Sequence, residues 1–317
     1  MMKILLLISL LFFSLFSSEF KKPISSFKAS GYVIDLVYKN NKLYVATDAG
    51  IVDIFDYKTK KIIKKIKVPK VKDFMGDLVN SKVFSVDELD GNIILLSKSQ
   101  DGFNRVHLHV DGKSSLIIDY KQKLAIIKAK FLDKNTLLLA LLSNEIISYD
   151  IKTKKENYRI QVSGAKFSDF SLNKDKSRVV VIDESGVPTL LQTNSGKRIQ
   201  EIKALNLDNV FQVSYKNGVI ATAGQDRRVG VYVPKFKSSY FKQAKFLIYS
   251  VGLSPNGKIC AYASDEKNNI IVFNTITKSV ISKFGGNKAT ISDIEFIDEN
   301  YFLVASNSKT INLYKIK

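Results

Sequence analysis

Ile146-Ile147-Ser148-Tyr149, followed by Asp150-Ile151-Lys152-Thr153-Lys154-Lys155, is the stretch that decides how this chain is read. An apolar run ends in an aromatic ring and empties into a short Lys/Thr turn, the pattern of a strand entering a tight hairpin. The phrase occurs earlier as Val52-Asp53-Ile54-Phe55 followed by Asp56-Tyr57-Lys58-Thr59-Lys60-Lys61. Five more runs share its form: Val106-His107-Leu108-His109, Thr189-Leu190-Leu191-Gln192, Val229-Gly230-Val231-Tyr232, Ile270-Ile271-Val272-Phe273 and Ile311-Asn312-Leu313-Tyr314. Anchored on Ile54, Leu108, Ser148, Leu191, Val231, Val272 and Leu313, the steps are 54, 40, 43, 40, 41 and 41 residues. Five of the six steps agree on one period, so the chain is a sevenfold repeat.

A repeat of about 40 residues is the length of a four-stranded propeller blade. Each anchor has an apolar run upstream to serve as the preceding strand: residues 43–47, 93–97, 137–141, 179–183, 219–223, 259–263 and 302–306. From residue 32 onward, short runs of Val, Ile, Leu, Phe and Tyr alternate with Asn, Asp, Gly, Ser and Lys clusters, without sustained helical periodicity. The fold class is therefore all-β, a seven-bladed β-propeller of four-stranded antiparallel blades. The last repeat has three strands, at 291–296, 302–306 and 311–315, and lacks an outer one. Residues 20–27, left over before the first blade, are expected to supply it and close the ring, with Pro23 tolerated in an outermost strand.

The residues Ala223-Gly224-Gln225-Asp226-Arg227-Arg228-Val229-Gly230-Val231-Tyr232 resemble the repeats of WD40-like and YVTN-type propellers. Weaker echoes stand at residues 263–273 and 305–314, with Leu253-Ser254-Pro255-Asn256-Gly257-Lys258 as a turn between strands. The resemblance covers nearly the whole chain after residue 18. It departs from the family in having no Trp, hence no Trp-Asp signature, and no Gly-His pair. It implies the fold; function is not inherited from it.

Ahead of the repeats, Lys3 precedes thirteen uncharged residues, 4–16, and the small residues Ser17 and Ser18. This reads as a secretory signal peptide over residues 1–18, with the propeller domain over 19–317. A run of thirteen spans roughly 20 Å as a helix, short of a ~30 Å hydrocarbon core, which makes an uncleaved anchor the minority reading; after cleavage no stable membrane insertion is expected. The expected location is periplasmic. The single Cys260 forms no internal disulfide, and one Cys with two His cannot make a zinc-type cluster.

The balance of 49 Lys+Arg against 30 Asp+Glu gives +19, and loss of Lys3 with the signal leaves +18. Nucleic acid is not the expected partner, because export removes the protein from it and only six of the basic residues are Arg. Eight lysines lie within residues 58–72, on the expected outermost strand of blade 1. They read as protection of an exposed edge, with a docking surface for an acidic partner as the alternative.

Candidate chemistry is sparse. His107 and His109 share one face of a strand but lack further ligands, and Cys260 sits in an apolar run where a thiol is inert. No Gly-x-Ser-x-Gly elbow or phosphate loop occurs, and Asp87-Glu88-Leu89-Asp90-Gly91-Asn92 reads as a hairpin turn rather than a calcium loop. Calcium held by carboxylates from several blades at a central channel would leave no local motif, so composition does not exclude it. No catalytic, cofactor-binding or metal residues are therefore assigned, and no cofactor is expected. The long first step places about thirteen extra residues near Val71-Lys72-Asp73-Phe74-Met75-Gly76-Asp77. Asp73, Phe74, Met75 and Asp77 are the candidate partner-binding residues if this is a contact loop, with plain variation in loop length as the alternative reading.

An exported, cysteine-poor, Trp-free propeller with this loop is similar to NapL-type accessory proteins encoded with the periplasmic nitrate reductase. That similarity implies a non-enzymatic scaffold whose partner is an exported oxidoreductase, such as nitrate reductase components. A lactonase-type propeller hydrolase and an outer-membrane protein assembly scaffold are the alternatives.

Overall fold

The structure, a computed structural model, describes residues 20–100 and 102–317. The expected signal peptide, residues 1–18, lies outside the described residues. Seven four-stranded antiparallel sheets stand in a ring. Blade 1 runs from its inner strand Val33–Lys39 through Lys42–Thr47 and Ile51–Asp56 to its outer strand Ile62–Lys67. Inner and outer strands of the next five are Val83–Leu89 and Lys113–Ile118, Ile126–Asp133 and Lys155–Gln161, Phe167–Leu172 and Arg198–Glu201, Val210–Lys216 and Ser238–Gln243, and Val251–Leu253 and Val280–Phe284. All seven anchor runs lie in third strands, and all seven upstream runs in second strands.

These middle strands are apolar without alternation because both of their faces are covered by neighbouring blades. Leu137, Leu138, Leu139 and Ala140 are all fully buried, Leu137 and Leu139 toward blade 2, Leu138 and Ala140 toward blade 4. Outer strands have only one covered side, so Lys155–Gln161 is largely exposed. The repeated Asp/Lys/Thr turn has one geometry: Asp56 and Asp150 each accept the backbone N–H of the Thr three residues on, at 2.7 Å. Lys60 and Lys154 then take left-handed backbone, as do Gly196 and Lys278 at the matching place in blades 4 and 6.

Blade 7 is completed from the other end of the chain. Its strands Ile291–Phe296, Tyr301–Ser306 and Thr310–Lys315 are joined by Ser25–Lys28, which pairs antiparallel with the last. Phe27 is buried in a cluster with Phe55, Leu303 and Ile311, its ring edge-on to Phe55 at 5.5 Å. The closing strand is shorter than residues 20–27 and begins after Pro23. Before Pro23, Lys21 forms a parallel bridge to Phe284 and so fastens the same segment to blade 6. The extra residues of the first step fold as a small hairpin, Val71–Lys72 paired with Leu78–Val79, between blades 1 and 2.

Candidate functional site

The seven inner strands run in one direction around a central channel, and six carry a β-bulge at the same place. A bulge re-aims one side chain. Here it turns Ile34, Phe84, Ile127, Ser168, Phe211 and Ser292 into the channel end where the strands begin. Tyr249 joins them from blade 6, stacked on Phe211 at 5.2 Å. That end is a collar of mixed character, Ile34, Phe84, Ile127, Phe211 and Tyr249 with Ser168 and Ser292, around a cavity of about 180 Å³ whose surface is mainly polar.

One residue deeper the lining becomes charged. Asp35, Lys128, Asp169, Gln212 and Asp293 follow the bulges of blades 1, 3, 4, 5 and 7. They knit the ring together, because each inner strand has N–H groups facing a neighbour instead of a sheet partner. Asp35 accepts from Val86 N–H of blade 2 at 2.9 Å, and Asp169 from Val213 N–H of blade 5 at 3.0 Å. Gln212 accepts from Val251 N–H of blade 6 at 2.9 Å, and Asp87 from Phe131 N–H of blade 3 at 2.8 Å. Blade 6 meets blade 7 more closely: a Cβ on Gly252 would lie 2.4 Å from the Ile294 carbonyl oxygen, so glycine is required.

The cations inside the channel are already engaged. Lys128 Nζ lies 2.6 Å from Asp169 and donates to the Phe170 carbonyl, while Lys130 Nζ lies 3.1 Å from Asp35 and donates to the Val86 carbonyl. Desolvation works against the Lys130 charge, but the Asp35 and Asp87 carboxylates outweigh it and hold its pKa above the usual lysine value. Among the described residues Asp293 has no ion pair, Lys128 and Lys130 acting on it only from a distance. Burial first, then the Asp35 and Glu295 charges, push its pKa up to about 7, although Gln212 donates to it at 2.9 Å. Toward the opposite end the channel opens into a cavity of about 590 Å³ whose rim includes Lys39, Lys174, Lys176 and Lys216. Among the described residues, no three His, Cys, Asp or Glu side chains gather as a metal-binding group.

These channel residues carry no local motif. What marks them in the sequence is phase: a polar residue at the same point of successive inner strands, at 128, 169 and 212. Single-motif reading passes over that signal, because each position is an isolated polar residue in an apolar run.

The residues singled out from the sequence fall elsewhere. His107 and His109 lie side by side on the third strand of blade 2, where burial pushes His107 down to about 4 and a nearby Arg105 acts the same way. His107 Nε2 is 3.3 Å from Ser97 Oγ, and His109 Nδ1 is 2.8 Å from Ser114 Oγ. Cys260 is buried, and burial raises its thiol pKa well beyond the range of a nucleophile. Asp90 and Gly91 form a two-residue hairpin turn with left-handed backbone, closed by Glu88 accepting from Gly91 N–H at 2.7 Å.

Asp73, Phe74, Met75 and Asp77 are brought together at the tip of the extra hairpin. Asp73 Oδ1 accepts the N–H groups of both Met75 and Asp77 at 2.9 Å, and Asp73 N–H donates to the Asp77 carbonyl at 2.9 Å. The hairpin's root is pinned by buried Val71 and by Arg105, which donates to the Pro69 carbonyl at 3.0 Å. Phe74 and Met75 then have nowhere to pack: they are 96% and 72% exposed. Because the hairpin connects an outer strand to the start of the next inner strand, it stands on the face that carries the collar.

Compared with known families and curated proteins, the chain matches no family model and no curated protein. What is established is the class: a seven-bladed β-propeller, closed by its own N-terminal strand.

Proposed function

We propose that this chain is a non-enzymatic interaction scaffold of the periplasm, a divergent relative of the WD40-like and YVTN-type propellers. In this reading it docks an exported oxidoreductase such as the periplasmic nitrate reductase and aids its assembly or activity. The observation that carries the reading is the hairpin tip. A turn held by Asp73 presents Phe74 and Met75 to solvent on a fixed frame, and an exposed aromatic with low ordering cost is the form of an interface anchor. The collar on the same face, which mixes Phe84, Phe211 and Tyr249 with Ser168 and Ser292, extends the contact area. A non-enzymatic role is consistent with a channel whose lysines are tied to carboxylates and carbonyls, and with a deeply buried thiol.

The test is capture of purified periplasmic nitrate reductase on the immobilised propeller, compared with F74S/M75S. Both substitutions sit on exposed residues, so the propeller should melt unchanged while capture falls. A strain lacking the gene should lose part of its periplasmic nitrate reductase activity. No capture by the wild-type propeller, together with full activity in that strain, overturns the assignment.

A further inference from the structure

The outer strand of blade 1 differs from the six others. Lys113–Ile118, Ser238–Gln243, Val280–Phe284 and Ser25–Lys28 carry one basic residue each. Arg198–Glu201 balances Arg198 with Glu201, and Lys155–Gln161 offsets Lys155 and Arg159 with Glu156. One or two charges are therefore what this protein uses to keep a sheet edge from pairing with another chain. Blade 1 carries three lysines on the strand itself, and counted with its flanking turn and loop it holds twice as many as blade 5, whose matching stretch 234–245 has Lys235, Lys237, Lys242 and Lys245. Lys58, Lys60 and Lys61 in the turn, Lys64, Lys65 and Lys67 on the strand, and Lys70 and Lys72 after it make eight lysines, with no acidic residue from 57 to 72.

All eight are exposed, and among the described residues none forms an ion pair or a side-chain hydrogen bond. The stripe follows the whole outer edge, from the turn at one face, along a six-residue strand of about 20 Å, to the loop at the other. Apart from Lys58, whose charge acts on the Asp56 carboxylate beside the turn, these like charges have no recorded counter-charge and repel one another, a cost that edge protection does not require. The excess calls for an external anion.

We propose that this lateral edge of blade 1 adsorbs the propeller to the surface of an anionic phospholipid bilayer. Three features select a bilayer over an acidic protein. The stripe is long, its lysines all exposed, and it runs the length of the strand and both its ends. Its charges are all ammonium groups on flexible stems, which suit a fluid layer of headgroups, whereas fixed carboxylates favour the planar fork of Arg, absent here. The strand offers only Ile63 as an exposed apolar side chain, too little to anchor a protein interface by burial. The contact is peripheral and electrostatic, and it is independent of the docking assigned to the Phe74–Met75 tip.

The experiment is sedimentation of the purified protein with phosphatidylcholine vesicles, and with vesicles containing about 30% phosphatidylglycerol, at low and high salt. Binding is expected to the anionic vesicles only, and to be lost as salt shortens the screening length to roughly 3 Å near 1 M. At about fivefold per lysine, K64Q/K65Q/K67Q should weaken vesicle binding on the order of a hundredfold. K113Q/K155Q/K245Q removes the same net charge from other edges and should bind nearly as wild type. F74S/M75S should also bind as wild type, which separates this contact from the docking one. Failure of the wild-type protein to bind anionic vesicles at low salt overturns the proposal, as does equal loss in the two lysine triples. Binding to an acidic protein without vesicle binding overturns it too.

Discussion

Lys130 of blade 3 reaches across the channel to Asp35 of blade 1, Nζ to Oδ2 3.1 Å, bypassing blade 2 between them. The same carboxylate oxygen accepts Val86 N–H from blade 2. One ion pair thus ties three consecutive blades at the ring's centre.

Removing one partner leaves the other charged in a mostly desolvated channel. Lys130→Met should therefore cost about 3 kcal/mol, read as a lowered denaturant midpoint at unchanged slope. Asp35→Asn should cost a comparable amount, since it also weakens the acceptor for Val86. The double substitution should fall well short of the sum, because neither charge is then left alone. An additive double mutant would show that the two side chains do not act as a pair.

Asp293 makes the channel pH-sensitive with a sign opposite to that of most carboxylates. Its folded pKa, pushed up to about 7, lies above its unfolded value. Between the two, the folded state holds a proton that the unfolded state has lost, so stability falls as pH rises from about 4 to about 7. Asp293→Asn keeps the shape and removes the titration. It should raise the melting temperature at pH 8 by several degrees, roughly, and make little difference near pH 4. The groups facing Asp293 are Asp35, Glu295, Gln212, Lys128 and Lys130. His107 acts oppositely: pushed down to about 4, it withdraws stability as pH falls below its unfolded value near 6.5. His107→Gln should flatten the acid limb of the melting profile while leaving the alkaline limb in place.

Ring closure rests on Phe27 more than on the pairing of Ser25–Lys28 alone. Phe27 fills the seam between blades 7 and 1, so Phe27→Ala should cost about 3–5 kcal/mol. Deleting residues 19–30 should lower the melting temperature further, because it also exposes the edge of the strand Thr310–Lys315. A truncated chain that melts like the full one would remove the closing strand from the account of stability.

The period of the repeat was legible because strands buried on both faces must be apolar wherever they recur, so Ile146 and Ile270 stand out without an alignment. The closing strand was legible as a deficit, three strands in the last repeat with residues 20–27 left over. Its partners were not: Lys21 pairs with Phe284 of blade 6, a contact made by backbone groups that any residue carries. The channel was opaque for another reason. Asp35, Lys128, Asp169 and Asp293 are far apart in sequence and meet only because six bulges set the same phase in separate blades. The extra hairpin was visible as an anomalous step of 54 residues, but the work of Asp73 in it was not, since an acidic residue in a loop reads equally as a contact or as a turn former.

That distinction leads to the sharpest test of the docking tip. If Asp73 serves by contact, its charge matters; if it serves by holding the turn, what matters is an acceptor oxygen within reach of the Met75 and Asp77 N–H groups. Asp73→Asn keeps an acceptor and removes the charge, while Asp73→Ala removes both. The geometry favours the turn, because Oδ1 already holds both N–H groups at 2.9 Å. Capture of the reductase should therefore survive in Asp73→Asn and fall in Asp73→Ala, even though Phe74 and Met75 are intact in both. Amide hydrogen exchange at Met75 and Asp77 should quicken only in the alanine variant, by about tenfold for an interaction on the order of 1.4 kcal/mol. The melting temperature should not move, since the tip packs against nothing in the blade cores. Equal loss of capture in both variants, with exchange unchanged in the asparagine protein, would assign Asp73 to the interface itself.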